Sequence, residues 1–334
     1  MNGFGAWAKK VVRSREISIA IAFVVIVAVT TVVNPQFLFS ADGWNLLLIN
    51  PSILAVLAIG EAFVIITMSF DLSVGSGLGL TAFMIGSLYI AWPGMPAPLA
   101  FLIGIVFGAV LGLINGGLVA VAKVPGMVIT LGTMYIYRGI DILWAGTKRI
   151  NATDMGQDFL GFGNSSLFTI PSLTILAIVV LVIATWYLHS TRSGREFYAV
   201  GSAPEAAELY GLAIGKRRLA AFTISGATAG LAGAMFAARF GTVASDAGTG
   251  YELQAIGAAV VGGVAILGGS GTVIGALLGA YLLGTINSAL PVLGLNSLWQ
   301  QAVVGILIIA AITLDRVMAA RRARQLRSTE RATT

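Results

Sequence analysis

The sequence predicts an all-α, polytopic integral membrane protein of about ten transmembrane helices. Three observations predict it. Apolar runs of roughly 17–25 residues, the length that crosses the hydrocarbon core, recur along the chain. Only 10% of the residues are charged and 57% are hydrophobic, whereas a soluble domain carries about 25% charge. The chain also holds 42 glycines, a composition suited to helices that approach closely in lipid.

The runs follow in order. The first, Ile17 to Val33, is preceded by the basic segment MNGFGAWAKKVVRSREIS. No A-x-A-like site follows Val33, so it reads as an uncleaved span rather than a signal peptide. The second is Asn45 to Met68, with Pro51 near its start. The third is Val74 to Trp92, the fourth Pro98 to Val121, the fifth Met127 to Trp144 and the sixth Leu167 to His189. After a polar interval come the seventh, Leu219 to Ala238, and the eighth, Glu252 to Leu267. The ninth is Val273 to Leu290 and the tenth Leu298 to Leu314. The eighth is short and bounded by Gly268, Gly269 and Gly271; such interrupted helices occur where irregular backbone lines a cavity. The whole chain, 1–334, reads as one transmembrane domain with a polar loop over 191–219 and a basic tail over 316–334.

The polar interval, TRSGREFYAVGSAPEAAELYGLAIGKRRL, carries Arg192, Arg195, Lys216, Arg217 and Arg218. It predicts a short helix in its middle. Pro204 suits the first helical position, where its missing N–H costs nothing. Glu205, Ala206, Ala207, Glu208 and Leu209 are helix formers, with carboxylates where the dipole favours them. Gly211 is a C-terminal stop. A short helix on a basic loop between spans reads as a docking knob for a soluble partner.

Orientation follows from the positive charges. With both termini in the cytoplasm, that side holds Lys9, Lys10, Arg13, Arg15, Lys123, the five basic residues of the loop, and Arg316, Arg321, Arg322, Arg324, Arg327 and Arg331. Only Lys148, Arg149 and Arg239 fall outside, with Arg138 in a span, the bias expected of cytoplasmic loops. The net charge of +6 belongs to this bias and is not a nucleic-acid signal. The fourth run has Gly108, Gly112 and Asn115, and the ninth has Gly275, Gly279 and Asn287. Both have small-xxx-small spacing and run in opposite directions, so runs two to five and seven to ten are candidate inverted repeats.

Several chemistries are excluded. There is no phosphate loop, since Gly215-Lys216 is followed by Arg217 and lacks the upstream glycine. The only histidine, His189, lies at a membrane edge, so neither a Ser/His/Asp arrangement nor a histidine metal site is available. Without cysteine there is no disulfide or thiol chemistry. No catalytic residue, metal or cofactor is expected, and active transport must be energised by a partner or an ion gradient.

Ionisable groups within spans tend to line a pathway or find a partner. Glu61 lies mid-span and reads equally as a structural hydrogen bond or a pathway group. Asp71 is placed to cap the third helix, accepting from the Ser73 or Val74 N–H. Arg138 and Asp141 are three apart on the fifth helix, the spacing of an internal ion pair. Glu252 opens the eighth. A neutral polyol needs hydroxyl and amide partners with aromatic faces; Asn115, Thr130, Thr133, Gln254 and Asn287 are such candidates, with hydrogen bonding between helices as the structural alternative.

These residues resemble a known family. The stretches DLSVGS (71–76), INGGLVAVAKVPGMVITLGTMYIYRG (114–139), SGREFYAVGSAPEAAELYGL (193–212), GTGYELQAIGAAVVGG (248–263) and LGGSGTVIGALLGA (267–280) resemble the permease subunits of bacterial ABC importers for monosaccharides, the ribose-type branch. YRG and LWAGTKRI look most like the rhamnose and autoinducer-2 permeases. The resemblance covers Ile17 to Asp315. It implies alternating access in the bacterial inner membrane. It also implies pairing with a second permease copy or paralogue, cytoplasmic ATPase subunits that bind the ATP, and a periplasmic or lipid-anchored sugar-binding protein. Glu205-Ala206-Ala207 with Gly211 matches the EAA-x3-G core of importer coupling loops; the downstream I-x-L-P portion is absent. The competing readings are an ion-coupled secondary transporter, with Glu61 and Asp71 as coupling groups, a non-transporting membrane scaffold, and a permease for branched-chain amino acids.

Overall fold

The computed structural model describes residues 15–122 and 124–296, then 299, 301–307, 309, 310 and 313. The basic residues Lys9, Lys10, Arg13 and Lys123, the tail 316–334 and much of the tenth run lie outside the described residues; within that run, 301–307 are helical.

The described chain is built of helices. They are α1 (Arg15–Val33), α2 (Gln36–Phe39), α3 (Ala41–Ile66), α4 (Val74–Ala91), α5 (Ala97–Ala122), α6 (Gly126–Ala145) and α7 (Gln157–Asn164). There follow α8 (Ser172–Ser190), α9 (Arg192–Ser202), α10 (Pro204–Leu209), α11 (Ile214–Phe240), α12 (Tyr251–Val261) and α13 (Val273–Val292). A two-stranded hairpin, β1 (Ser166–Leu167) and β2 (Ile170–Pro171), precedes α8. Seven of these helices are long and apolar enough to cross a membrane: α1, α3, α4, α5, α8, α11 and α13. In α6 the length is present and the polar residues Thr130, Thr133, Arg138 and Asp141 dilute the apolar character.

Local chemistry sets the helix ends. Ser40 opens α3, its hydroxyl accepting the Gly43 N–H at 2.9 Å, so α3 begins four residues before the expected Asn45. Thr272 caps α13 through the Gly275 N–H. The expected sixth span loses its first residues to the hairpin, whose turn residues Phe168 and Thr169 both have positive φ. The seventh span starts at Ile214 rather than Leu219, because Lys216, Arg217 and Arg218 are long enough to reach polar surroundings from a helical first turn. The eighth is shortened further than expected. α12 has 11 residues, a rise of about 16 Å, and the chain then continues without regular structure to Thr272.

Glycine decides the packing at the centre. Along α5, Gly104, Gly108 and Gly112 face Gly230, Gly226 and Phe222 of α11. A Cβ on Gly108 would stand 2.2 Å from the Gly226 carbonyl oxygen, and one on Gly226 would stand 2.2 Å from that of Gly108. The two backbones touch, the small-xxx-small contact of lipid-embedded helices. In the second half, Gly275 and Gly279 of α13 meet Gly262, just past the end of α12, and Ala258 within it. Packing partners exchange between the halves. α5 lies on α11 and α13 on α3; α4 lies on α11 and α12 on α3; α3 and α11 pack together. Two copies of one three-helix unit related by a two-fold axis would pack in this way.

The two halves meet at opposed helix starts. A Cβ on Gly75, in the first turn of α4, would stand 2.1 Å from Glu252 Oε2 and 3.1 Å from the Glu252 backbone N, in the first turn of α12. From there α4 runs along 243–248, with Gly79 against the Ala247 carbonyl and Gly86 against Ile150, which bridges Val243. α12 leads the other way, to Gly268 and Gly269, which lie against Met68, Gly201 and Ser202.

Candidate functional site

A buried polar cluster lies where the segment joining α3 to α4 turns back into the bundle. Glu61, on α3 and fully buried, accepts the Asp71 N–H on Oε1 at 3.0 Å. Asp71 Oδ1 accepts both the Ser73 N–H at 3.0 Å and the Ser73 hydroxyl at 2.6 Å. That N–H is one of the two donors expected from the sequence, although α4 itself starts after Ser73. Oδ2 accepts the Ser225 hydroxyl of α11 at 3.1 Å. Asn115 of α5 donates to Ser73 Oγ at 2.7 Å and accepts the Tyr137 hydroxyl at 3.1 Å. Thr130 of α6 accepts the Leu72 N–H and donates to the Phe70 carbonyl, each at 3.1 Å. Thr133 is buried and donates to the Thr130 carbonyl.

Irregular backbone at membrane depth must have its polar groups satisfied inside the protein. Glu61, Thr130 and Asp71 meet that need for the N–H groups of Asp71, Leu72 and Ser73. The structure therefore brings four of the six expected pathway residues, Glu61, Asn115, Thr130 and Thr133, into one cluster and places it in the protein interior. Gln254 and Asn287 form a separate pair between α12 and α13, the Asn287 amide donating to Gln254 Oε1 at 3.1 Å. Tyr137 and Ser225 were not singled out from the sequence. Tyr137 sat within the YIYRG stretch, and Ser225 carried no local signal.

The expected ion pair between Arg138 and Asp141 does not form. Arg138 Nη1 instead donates to the carbonyls of Ser245 and Ala247, at 3.1 and 2.6 Å, and Asp141 is buried with both carboxylate oxygens unbonded among the described residues. The loop from α11 to α12 exposes carbonyls at membrane depth, and the guanidinium is drawn to them.

The polar interval 191–219 differs from the single short helix expected. α9 precedes the EAA helix. Thr191 caps it, accepting the Gly194 N–H at 2.9 Å, and Phe197, Val200 and Gly201 are buried at helical spacing. That spacing was a usable signal, masked by the flanking charges. Phe197 packs edge-on against Phe63 of α3, with ring centroids 5.8 Å apart. Glu196 pairs with Arg217 of α11 at 2.6 Å. The Tyr198 hydroxyl donates to the Gly271 carbonyl at 3.0 Å, and burial pushes that phenol above its ordinary pKa. Gly201 touches the Ile66 carbonyl and the Gly269 nitrogen, which are themselves hydrogen-bonded at 2.9 Å. One helix thus grips both the end of α3 and the segment joining α12 to α13.

α10 follows with Pro204 in its first turn, as expected. Ala207 is buried and Ala206 partly so, while Glu205 and Glu208 point outward. Leu209 and Tyr210 at the tip are 89% and 88% exposed. Gly211 has φ +78; its N–H bonds the Glu208 carbonyl and that of Leu212 bonds Ala207, a Schellman closure.

A glycine-packed helical bundle with broken helices meeting at its centre, α9 gripping both breaks and the exposed α10 beside it is the architecture of a multi-pass transport permease. The family described as branched-chain amino acid transport system / permease component matches residues 45–312, and the chain belongs to that family of ABC importer permeases. It is similar to the autoinducer 2 import system permease protein LsrC of Enterobacter sp. (strain 638), at 36% identity over 92% of this chain and 88% of that protein. The LsrC proteins of Salmonella typhi and Escherichia coli O9:H4 (strain HS) are 36% and 35% identical over 92% of this chain, covering 87% and 88% of their own length. No solved structure matches the chain. As a member of that family the protein is a transport permease and not an enzyme. It is a multi-pass inner-membrane subunit whose system includes an ATPase and a substrate-binding protein.

Proposed function

We propose that this permease carries a monosaccharide or similar polyol into the bacterial cell by alternating access. In this reading two permease copies, or this chain and a paralogue, form the transport unit as a single transmembrane domain each. Both termini are cytoplasmic, and the ATPases dock from that side on Glu205, Ala206, Ala207, Glu208 and Gly211. ATP is bound by those subunits, and this chain carries no cofactor. A periplasmic or lipid-anchored binding protein delivers the sugar. The observation that carries the reading is the junction at Gly201. Movement imposed on the exposed tip of α10 passes through α9 to Ile66 and Gly269, and so to both broken helices.

The test is sugar-stimulated ATP hydrolysis and uptake in the reconstituted complex, with Glu205 and Gly211 each substituted. Loss of both activities, with insertion and partner binding retained, supports the reading. Uptake by the permease alone, without any ATPase, refutes it in favour of a secondary carrier. The family description, which names branched-chain amino acids, keeps a second cargo in play; competition by leucine against a labelled sugar decides between the two.

A further inference from the structure

A second polar site lies outside the buried cluster. A cavity of about 360 Å³ opens between α6 and the segment 245–252, lined by Tyr135, Arg138, Asp246, Thr249 and Glu252 among others. Its depth follows from its neighbours. The Ala247 carbonyl lies against Gly79 and Glu252 against Gly75. These glycines are about 18 and 24 Å from the far end of α4 at 1.5 Å per residue. The cavity is therefore at hydrocarbon depth. Yet Asp246, Thr249 and Tyr135 are exposed on the outside of the protomer. A carboxylate facing lipid at that depth is costly, and such groups face water or a partner instead.

The groups are also held ready. Arg138 is fixed by its two carbonyls. Glu252 is fixed by the Gly250 N–H on one oxygen and by burial against Gly75 on the other. The Thr249 hydroxyl donates to the Asp246 carbonyl at 2.7 Å and keeps its lone pairs free. Among the described residues the Asp246 carboxylate makes no hydrogen bond or ion pair.

We propose that this cavity is the cargo-contacting surface of the translocation pathway, closed by the second permease, and that it takes a neutral polyhydroxy compound. Resting on the permease-pair reading above, it adds residues that reading does not name. The free groups are mostly acceptors, which suit hydroxyl donors. Two carboxylates against one guanidinium disfavour an anion. The face of Tyr135 suits the C–H face of a sugar ring.

The sequence contains no cysteine, so a single introduced thiol is the only one in this subunit, and labelling is read on the separated subunit band. In the assembled complex, Thr249→Cys should react with the cationic, membrane-impermeant reagent 2-(trimethylammonium)ethyl methanethiosulfonate about tenfold or more faster than Ile136→Cys on another face of α6, because thiol modification needs water and a thiolate. D-Ribose or L-rhamnose should slow that reaction and L-leucine should not. Asp246→Asn should lower sugar uptake about tenfold or more, the loss of a charge-assisted hydrogen bond, and Asp246→Glu should recover part of it. Equal, slow labelling at both positions overturns the proposal, as does protection by none of the sugars or by leucine alone. Failure of the unsubstituted complex to take up any sugar would instead refute the proposed cargo, a separate result.

Discussion

Gly201→Ala tests whether α9 transmits movement. A Cβ at Gly201 would stand 1.7 Å from the Ile66 carbonyl oxygen and 2.7 Å from the Gly269 nitrogen. Both are backbone atoms, so neither can rotate away. Relieving the first contact to 3.0 Å needs a shift of about 1.3 Å, the difference between the two distances. The two atoms crowded are the acceptor and the donor of the Gly269 to Ile66 hydrogen bond. Overpacking costs about 1–3 kcal/mol and the lost hydrogen bond about 1 kcal/mol. Alanine returns up to about 1 kcal/mol through its better helix propensity. The net, about 1–3 kcal/mol, is as large as a typical coupling free energy between sites.

The assay measures ATP hydrolysis and sugar uptake on the same proteoliposomes, with folded complex quantified by size exclusion. Uptake per ATP should fall while folded yield is largely kept. Gly132→Ala on α6, where a Cβ would meet nothing within 4 Å, is the control and should change neither quantity. An unchanged uptake-to-hydrolysis ratio in Gly201→Ala would refute the reasoning, since the contact would then be adjustable without consequence.

Other outcomes follow from single observations. Gly211→Ala should weaken coupling by about 1 kcal/mol, because its positive φ penalises a Cβ although nothing blocks one; Gly211→Asn, which tolerates that conformation, should retain more uptake. Gly108→Leu should separate α5 from α11 and lower the thermal midpoint of the detergent-solubilised protein, whereas Gly117→Ala, open on its outer side, should leave it unchanged. Asn115→Leu removes the donor to Ser73 Oγ and one of the two acceptors of the Tyr137 hydroxyl, which keeps the Leu111 carbonyl, and should cost about 0.5–1.5 kcal/mol in unfolding, read by denaturant titration in micelles. Glu61→Gln keeps an acceptor for the Asp71 N–H and should sustain ATP-driven uptake; if it abolishes uptake while the protein stays folded, the carboxylate has a transport role beyond bracing the loop.

Much of the fold could be read along the chain, because a bilayer imposes a length and an apolar composition on each span. Seven helices satisfy both, and their positions follow the apolar runs. Pro204 and Gly211 marked the ends of α10 for equally local reasons, a missing N–H and a permitted positive φ. The EAA match could be read because it is a contiguous pattern. α9 escaped because its buried residues are few and are set among arginines. The early starts of α3 and α11 escaped because hydropathy is blind to a capping serine and to long basic side chains that reach the interface.

Local pattern also located the candidate polar residues, since each is conspicuous against an apolar background. What they do depended on partners far along the chain. Glu61 and Asn115 look like pathway groups when taken singly, but they are turned inward to brace a loop. Arg138 looks paired with Asp141 at helical spacing, yet it answers carbonyls more than a hundred residues away. The opposed starts of α4 and α12, and the grip of α9 on both breaks, join segments that share no local signal. The sequence by itself determined the membrane fold and the short helix α10, because lipid and backbone geometry act residue by residue. Only the tertiary structure decided which polar groups face inward and which line an open cavity, because hydrogen bonding in a dry interior is settled between helices rather than along them.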